Sequence, residues 1–269
     1  SANDGWIDLR TLTGGLTSSA DATINSLTVG KGANSVSGNT VLGESALDAS
    51  VSGANNTAIG KSSLTSLTSG ASNTAVGAEA GDAITTGAGN VALGLGSLSS
   101  ITTTNSNTAL GHNAMQLGAG GAECVAVGST ALQDNTASQN TAVGSQCLKE
   151  NTSGSDNVAV GYQAMDANTT GGNNTAAGVG ALGQNTTASN NTAFGFTALT
   201  SNTTGTNNTA VGANALDAAT TADQNTAVGR NALSATTTGN LNVAIGDHAM
   251  QSSTTADRNV AIGSQTMAS

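Results

Sequence analysis

The sequence lacks the bulky and rigid residues from which most folded domains are built. It contains no proline, and its aromatic side chains are one Trp, one Tyr and two Phe among 269 residues. Apolar residues make up 37% of the chain, but most are small and evenly dispersed, which excludes an ordinary globular core. Such a chain is either disordered or a solenoid whose repeats pack on their neighbours. A charged fraction of only 8% argues against disorder.

Positive charge and long apolar runs are also scarce. Six basic residues stand against 16 acidic ones, for a net charge of −10. This balance disfavours binding to nucleic acid or to an anionic membrane surface. No run of about 18 apolar residues occurs, so we expect no membrane insertion and no signal peptide within this stretch.

What the sequence has instead is one short motif that recurs. Residues 207–216 are NNTAVGANAL, and QNTAVGRNAL and LNVAIGDHAM follow at intervals of 17 residues. Fourteen copies fill residues 36–269, with one interval of 16 between the sixth and seventh motif glycines, Gly128 and Gly144. The motif glycines are Gly43, Gly60, Gly77, Gly94, Gly111, Gly128, Gly144, Gly161, Gly178, Gly195, Gly212, Gly229, Gly246 and Gly263.

The short interval constrains where strands and corners lie. A strand that lost one residue would turn every following side chain to the opposite face, yet the motif resumes unchanged. We therefore predict that the missing residue comes from a corner between Leu132 and Asn140.

The positions around the glycine are almost as regular. Asn stands four residues before it in thirteen copies and is replaced once, by Cys124; Leu or Met stands four residues after it, except at Gly81. Asn side chains in register are expected to stack as an amide ladder. Glycine is expected where a side chain would obstruct the next coil or where the turn needs a positive φ. We predict this structural ladder for Asn56, Gly60, Asn73, Gly77, Asn90, Gly94, Asn208, Gly212, Asn225, Gly229, Asn242 and Gly246.

Seventeen residues suit one coil of a parallel β-solenoid, so the predicted fold class is all-β. "NTAVG" supplies a short strand because Thr, Val and Ile favour extended backbone, and "ALxxxTT" is predicted as a second, weaker strand. Proline is absent because a parallel ladder uses every backbone N–H. Fourteen coils at about 4.8 Å each make a rod roughly 65 Å long.

Alternation along the strand puts Ala and Gly on one face and the larger aliphatics on the other. Our preferred assignment places Ala and Gly inside a narrow roll and the aliphatics against a partner chain, although the reverse is also consistent. One coil buries few apolar groups against the cost of ordering its backbone, so we expect oligomerisation. The predicted trimer contacts or core residues are Val211, Leu216, Val228, Leu233, Ile245 and Met250.

The coil pattern N-[ST]-x-A-x-G resembles the repeats of trimeric autotransporter adhesin heads. The longer unit NNTAVGxxAL…NTTG, preceded by INSLTVGKGANSVSGNTVLG at residues 24–43, is similar to tail-fibre proteins of cyanobacterial phages. The resemblance covers residues 24–269 and implies a left-handed β-roll wound as a homotrimeric virion fibre. Its implied partners are two further copies of itself, other virion tail proteins on the N-terminal side, and a host receptor bound through another segment. The 17-residue period departs from adhesin heads, whose repeats are shorter.

Residues 1–35 lie outside the repeat and include the only Trp, and we interpret them as a connector to an upstream segment. The roll is expected to continue beyond residue 269, because a solenoid end normally needs a cap.

Few residues offer chemistry. His112 and His248 are predicted to lie eight coils apart, or about 38 Å, so we expect no site that they share. Cys124 and Cys147 occupy different repeat positions, so we expect no disulfide between them. We predict no enzyme activity, cofactor or metal. The aromatics Tyr162, Phe194 and Phe196 are too few for a sugar-stacking platform along the roll, and we expect Phe194, which occupies an aliphatic position, to be packed.

Three functions remain. The first is a virion tail-fibre shaft that spaces a receptor-binding tip from the particle. The second is the head of a bacterial surface adhesin, which would place the chain at the cell surface. The third and most remote is an ice-binding solenoid, suggested by the pairs Thr169–Thr170, Thr203–Thr204 and Thr254–Thr255. An ice-binding face needs regularly spaced Thr pointing outward from a flat strand, whereas adjacent residues point to opposite sides.

Overall fold

The computed structural model describes residues 21–24, 26–118 and 121–268 of the chain. These residues form one 16-stranded sheet in which every strand pairs with the strands next to it in sequence. Fourteen of the strands are parallel and repeat at intervals of about 17 residues, so the predicted parallel β-solenoid is confirmed. They are β3 (Thr40–Gly43), β4 (Thr57–Ile59), β5 (Thr74–Val76), β6 (Val91–Leu93), β7 (Thr108–Leu110), β8 (Val125–Val127), β9 (Thr141–Val143), β10 (Val158–Val160), β11 (Thr175–Ala177), β12 (Thr192–Phe194), β13 (Thr209–Val211), β14 (Thr226–Val228), β15 (Val243–Ile245) and β16 (Val260–Ile262).

The sheet begins with two antiparallel strands, β1 (Ala22–Ile24) and β2 (Leu27–Gly30). A short 3₁₀ helix, Ala33–Ser35, then leads into β3. Part of the predicted connector, residues 1–35, therefore adds to the same sheet. Residues 1–20 of that connector, with its Trp, lie outside the described residues.

Each parallel strand is three or four residues long and alternates as predicted. The central Ala of the strand is buried, and the residues on either side of it point outward. Neighbouring strands are in exact alignment, for example Ala210 opposite Ala227 and Val211 opposite Val228. The strand Ala thus faces the interior of the roll, while the motif glycine after the strand is half-buried in most coils.

The motif glycine ends each strand for two physical reasons. Gly212 has φ +135°, a conformation that side-chain-bearing residues rarely adopt. A Cβ on it would lie 2.5 Å from the carbonyl oxygen of Gly229 in the next coil. The same approach recurs along the column, which explains why none of the fourteen copies replaces this glycine.

The predicted second strand at "ALxxxTT" is wrong. The residues after the glycine form stacked turns, because the Leu or Met of each coil has φ near +50°, which is incompatible with a strand: Leu182 has φ +52° and Leu216 +54°. The turns nevertheless bond from coil to coil, since the Leu182 amide donates to the Ala198 carbonyl at 3.0 Å. Identical turns can therefore stack as regularly as strands do.

The core is a column of small residues beside a column of larger ones. The strand Ala and the Ala three residues after the glycine are buried together with the following Leu or Met. A third inward position, seven residues after the glycine, changes along the rod. It holds Leu67, Ile84 and Ile101 in early coils, Asn in five middle coils, and Ala219 and Thr236 later.

The 16-residue coil keeps its strands in register. Val125 pairs with Thr141 and Val127 with Val143, so the deletion does not fall in a strand and the prediction of a corner is confirmed. Hydrogen bonds locate it further. Thr136 donates its amide to Thr152, 16 residues ahead, whereas the side chain of Asn140 already bonds the Gly154 carbonyl at the usual spacing of 14. The missing residue therefore lies between Thr136 and Asn140, opposite residues 153–156 of the next coil.

Candidate functional site: the strand face and the asparagine ladders

The Asn before each strand forms a continuous amide ladder inside the roll. The backbone amide of Asn225 donates to Oδ1 of Asn208 at 3.0 Å, and the amide of Asn242 donates to Oδ1 of Asn225 at 2.9 Å. Each side-chain Nδ2 also donates to a corner carbonyl of the following coil, as Asn225 does to Gly239 at 2.8 Å. This ladder satisfies buried backbone groups at the corner and fixes the orientation of every strand. Asn56, Asn73 and Asn90 repeat the geometry.

Cys124 interrupts the ladder. Its amide still donates to Oδ1 of Asn107 at 3.0 Å. In place of an Asn Oδ1, however, the Cys124 sulfur faces the backbone amide of Asn140 in the next coil, and sulfur is a weaker acceptor than oxygen. The sulfur lies 3.3 Å from the Ala137 carbonyl oxygen. Burial raises the pKa of the Cys124 thiol, and burial raises that of Cys147 to about 12. Both thiols are free and buried, so they are packing residues in this chain.

A second, shorter Asn ladder runs through the core and was missed at the sequence level. We call it the inner ladder: Asn135, Asn151, Asn168, Asn185 and Asn202. Nδ2 of Asn185 donates to Oδ1 of Asn168 at 2.8 Å, and Nδ2 of Asn202 donates to Oδ1 of Asn185 at 3.1 Å. The next coil has Ala219 in this position, so Oδ1 of Asn202 is buried without a hydrogen-bond partner. The signal was an Asn seven residues after each of five successive motif glycines, within the stretch that is predicted above as a second, weaker strand.

The outward side chains at the first and third positions of β3–β16 form what we call the strand face. Its first position holds nine Thr and five Val, and its third position holds Val, Leu or Ile except for one Ala and one Phe. The face has no charged residue in any of these fourteen coils.

The six predicted trimer-contact or core residues divide between the face and the core. Val211, Val228 and Ile245 lie on the strand face; Val211 is 37% exposed and Ile245 is 39% exposed. The other three of these six residues are buried within the roll: Leu216, Leu233 and Met250.

The aromatic side chains of the described residues lie in neighbouring coils, one on the strand face and two at the corner after it. Phe194 is 45% exposed at the third position of β12, so the expectation that it is packed within the chain is wrong. The alternation of the strand places this position outward whatever its size. Tyr162 and Phe196, each one residue after a motif glycine, are also exposed, with Val179 in the coil between them.

The one His with a polar network is His248. Its Nδ1 lies 2.8 Å from Oδ2 of Asp247, and its Nε2 lies 3.0 Å from Nδ2 of Asn231. Nε of Arg230 donates to Oδ1 of Asp247 at 2.9 Å. Hydrogen bonds from Arg230 and then His248 lower the pKa of Asp247, and the pairing raises the pKa of Arg230. An amide rather than a hydroxyl faces Nε2, so this cluster does not form a Ser–His–Asp arrangement.

His112 is exposed and separated from His248 by eight coils. Among the described residues, no group of three or more His, Cys, Asp or Glu could hold a metal ion. In the same part of the chain, no helix has the length and hydropathy that crossing a bilayer requires.

The fold and this surface define the protein as a parallel β-solenoid with one uncharged face. Comparison of the chain with protein-family models, curated proteins and solved structures finds no match.

Proposed function

We propose that this chain is a structural rod, the shaft of a homotrimeric virion tail fibre that spaces a receptor-binding tip from the particle. Its partners are two further copies of the same chain and other tail proteins on its N-terminal side. The observation that supports this proposal is the strand face, an uncharged and largely aliphatic surface that runs along the parallel strands β3–β16. The resemblance of the repeats to phage tail fibres and to trimeric adhesin heads gives the biological setting.

The distribution of charge favours the strand face as the contact between copies. Charged residues occur at the corners and on the other sides of the coil, as in the exposed pairs Lys61–Glu44 and Arg230–Asp247. A net charge of −10 per chain is thus kept away from the strand face. Like charges directly opposed between copies would be costly, and this arrangement avoids them.

The size of the strand face also suits a stable assembly. Thirteen steps of ~4.8 Å give a length of about 62 Å, and three extended residues give a width of about 10 Å. The face therefore presents about 600 Å² before the flanking corners are added, close to the ~800 Å² per partner of a standard interface. Exposed aliphatic surface of this extent is characteristic of interaction sites.

The assembly is tested by three simultaneous substitutions on the strand face, Val211→Asp, Val228→Asp and Ile245→Asp. The control places Asp at three exposed positions of the same region of the roll, Thr204, Thr221 and Thr238. Light scattering is expected to give a trimer mass for the native chain and the control, and a lower mass for the strand-face variant. A folded monomer of the native chain at micromolar concentration would refute the trimer.

The virion setting is tested separately. Gold-labelled antibody against the roll should mark the tail fibres of particles in electron micrographs. Labelling of bacterial cell surfaces instead would favour the adhesin-head alternative, in which the roll itself binds a host or matrix ligand.

An ice-binding solenoid is retained as a second candidate because of one observation. Nine Thr of the strand face point outward from a regular parallel sheet, which is the arrangement that such a face needs. The adjacent Thr pairs do not provide it, since the first hydroxyl of each of two pairs, Thr169 and Thr203, donates to a carbonyl of the next coil. Thermal hysteresis of a monomeric chain would favour this candidate, and its absence would leave the trimeric shaft.

A further inference from the structure

A contact surface made of identical coils has a register problem. If one chain slides along another by one coil, about 4.8 Å, the first positions of the strand face still meet Thr or Val and nearly all third positions still meet Val, Leu or Ile. Repetitive, flat strand surfaces specify register weakly for this reason. A defined fibre therefore needs at least one place where the repeat is broken.

The strand face is broken at one place. Among the fourteen third positions, Ala occurs once, at Ala177, and Phe occurs once, at Phe194. These two residues lie in adjacent coils and are directly paired in the sheet. The smallest and the largest side chains of the column are therefore neighbours, in a column that is otherwise Val, Leu or Ile.

The corner beside this pair is also unusual. In the position after the motif glycine, the three consecutive coils around the pair hold Tyr162, Val179 and Phe196, all exposed. The preceding and following coils have Ser145 and Ala213 there. Every aromatic side chain that the described residues contain thus lies within three consecutive coils.

We propose that Ala177 and Phe194, flanked by Tyr162 and Phe196, form a register lock that fixes the axial alignment of the chains in the fibre. The occupant of this patch is a second copy of the same chain at the same height. This inference rests on the proposed trimer.

The physical basis of the lock is complementarity between a large and a small residue. In an aligned trimer, three Phe194 rings meet at one height, and each has the space beside Ala177 into which it can lean. In a trimer shifted by one coil, the rings of one chain lie at the Val211 or Ala177 level of another, so the contact among the three rings is lost. Three copies of an aromatic contact are expected to favour the aligned state by more than about tenfold.

The test measures register by cross-linking. Two tagged forms of the chain are co-expressed, one with Val228→Cys and one with Ile245→Cys, which lie one coil apart on the strand face. Both carry Cys124→Asn and Cys147→Ala so that no other thiol is present. Aligned chains give only 228–228 and 245–245 disulfides, whereas chains shifted by one coil give the mixed 228–245 product.

Two patch variants are compared in this background. Both variants carry Tyr162→Ser and Phe196→Ala. The first, called the flattened variant, also carries Ala177→Val and Phe194→Val, so that the column has no large or small residue at this place. The control instead carries Ala177→Phe and Phe194→Ala. The mixed product is expected to be minor for the native patch and for the control, which keeps one large and one small residue in adjacent coils. The flattened variant should raise it about tenfold or more.

Light scattering separates the two possible failures. A trimer whose mixed product is equally abundant with the native and the flattened patch would overturn the register lock and leave the shaft intact. A native chain that is monomeric, with no cross-linked product at all, would overturn the proposed trimer itself.

Discussion

Two alanine substitutions in the inner ladder, Asn185→Ala and Asn202→Ala, should have unequal effects although the residues are chemically identical and equally buried. Asn185 donates to Oδ1 of Asn168 and to the Ala188 carbonyl, and it accepts a bond from Asn202. Its removal eliminates three hydrogen bonds and leaves Oδ1 of Asn168 buried without a donor. Asn202 donates two hydrogen bonds, to Asn185 and to the Gly205 carbonyl, and its own Oδ1 accepts none.

The difference can be estimated from these counts. Both substitutions lose two donated bonds and leave one acceptor without a donor in the preceding coil. Asn185→Ala loses one more bond, worth about 0.5–1.5 kcal/mol, whereas Asn202→Ala also removes an orphan oxygen whose burial costs about 1–3 kcal/mol. Asn185→Ala should therefore lower the free energy of unfolding by about 2–4 kcal/mol more than Asn202→Ala.

Hydrogen exchange of backbone amides in the coils around residue 185 is the suitable assay. Repeat proteins can open locally, so a single global transition would average over intact coils. Asn185→Ala is expected to accelerate exchange in its own and adjacent coils far more than Asn202→Ala does in the corresponding coils. Equal acceleration, or a larger effect at Asn202, would show that the orphan oxygen and the ladder bonds do not determine stability as argued.

Three other substitutions probe separate features. Gly212→Ala should cost about 3 kcal/mol or more in thermal or denaturant unfolding, because of its φ and its close approach to the next coil. Gly180→Ala should cost less than about 1 kcal/mol, because Gly180 has φ +65° and a Cβ there would meet only the Thr197 methyl, at 3.5 Å. Cys124→Asn should stabilise the chain by about 1 kcal/mol, because its Oδ1 can accept the Asn140 amide. Burial raises the pKa of Asp217, so its ionised form weakens the fold as pH rises through that raised pKa. Asp217→Asn should then stabilise the chain at pH 7 by up to about 1 kcal/mol, and the gain should vanish below the ordinary pKa of 3.8.

Each of these has a result that contradicts it. Equal losses for the two glycine variants would mean that close approach between coils is not the constraint. A destabilising Cys124→Asn would mean that the corner has adapted to sulfur. A stability gain for Asp217→Asn that persists at pH 3 would assign the effect to packing rather than to ionisation.

The period and the alternation along the strand predicted the solenoid and its interior because both depend on simple geometry. Ala at the centre of each strand had to face one side, and a roll of 17-residue coils has room only for small residues there. The turns were less accessible to sequence reasoning. Leu216 and its equivalents adopt φ near +50°, which is unfavourable for an isolated Leu and is maintained by burial and by hydrogen bonds from the adjacent coils.

The inner ladder and the position of Phe194 show two other limits. Asn seven residues after the glycine does repeat in the sequence, but its five copies are flanked by Leu, Ile, Ala and Thr at the same position, so the column looked variable. What these residues share is an inward orientation rather than a chemical type. For Phe194, the size of the ring suggested burial, while the alternation of the strand correctly placed it outside.

The pairing of each coil with only its two neighbours has a consequence for how such a rod changes in evolution. An in-frame gain or loss of one repeat inserts or removes a whole layer and leaves the contacts of all other layers as they were. The rod then becomes longer or shorter in steps of about 4.8 Å. A corner can lose a residue without disturbing the layers above and below it, as the coil from Gly128 to Gly144 shows. The number of repeats therefore sets the length of the rod, whichever residues lie on its surface.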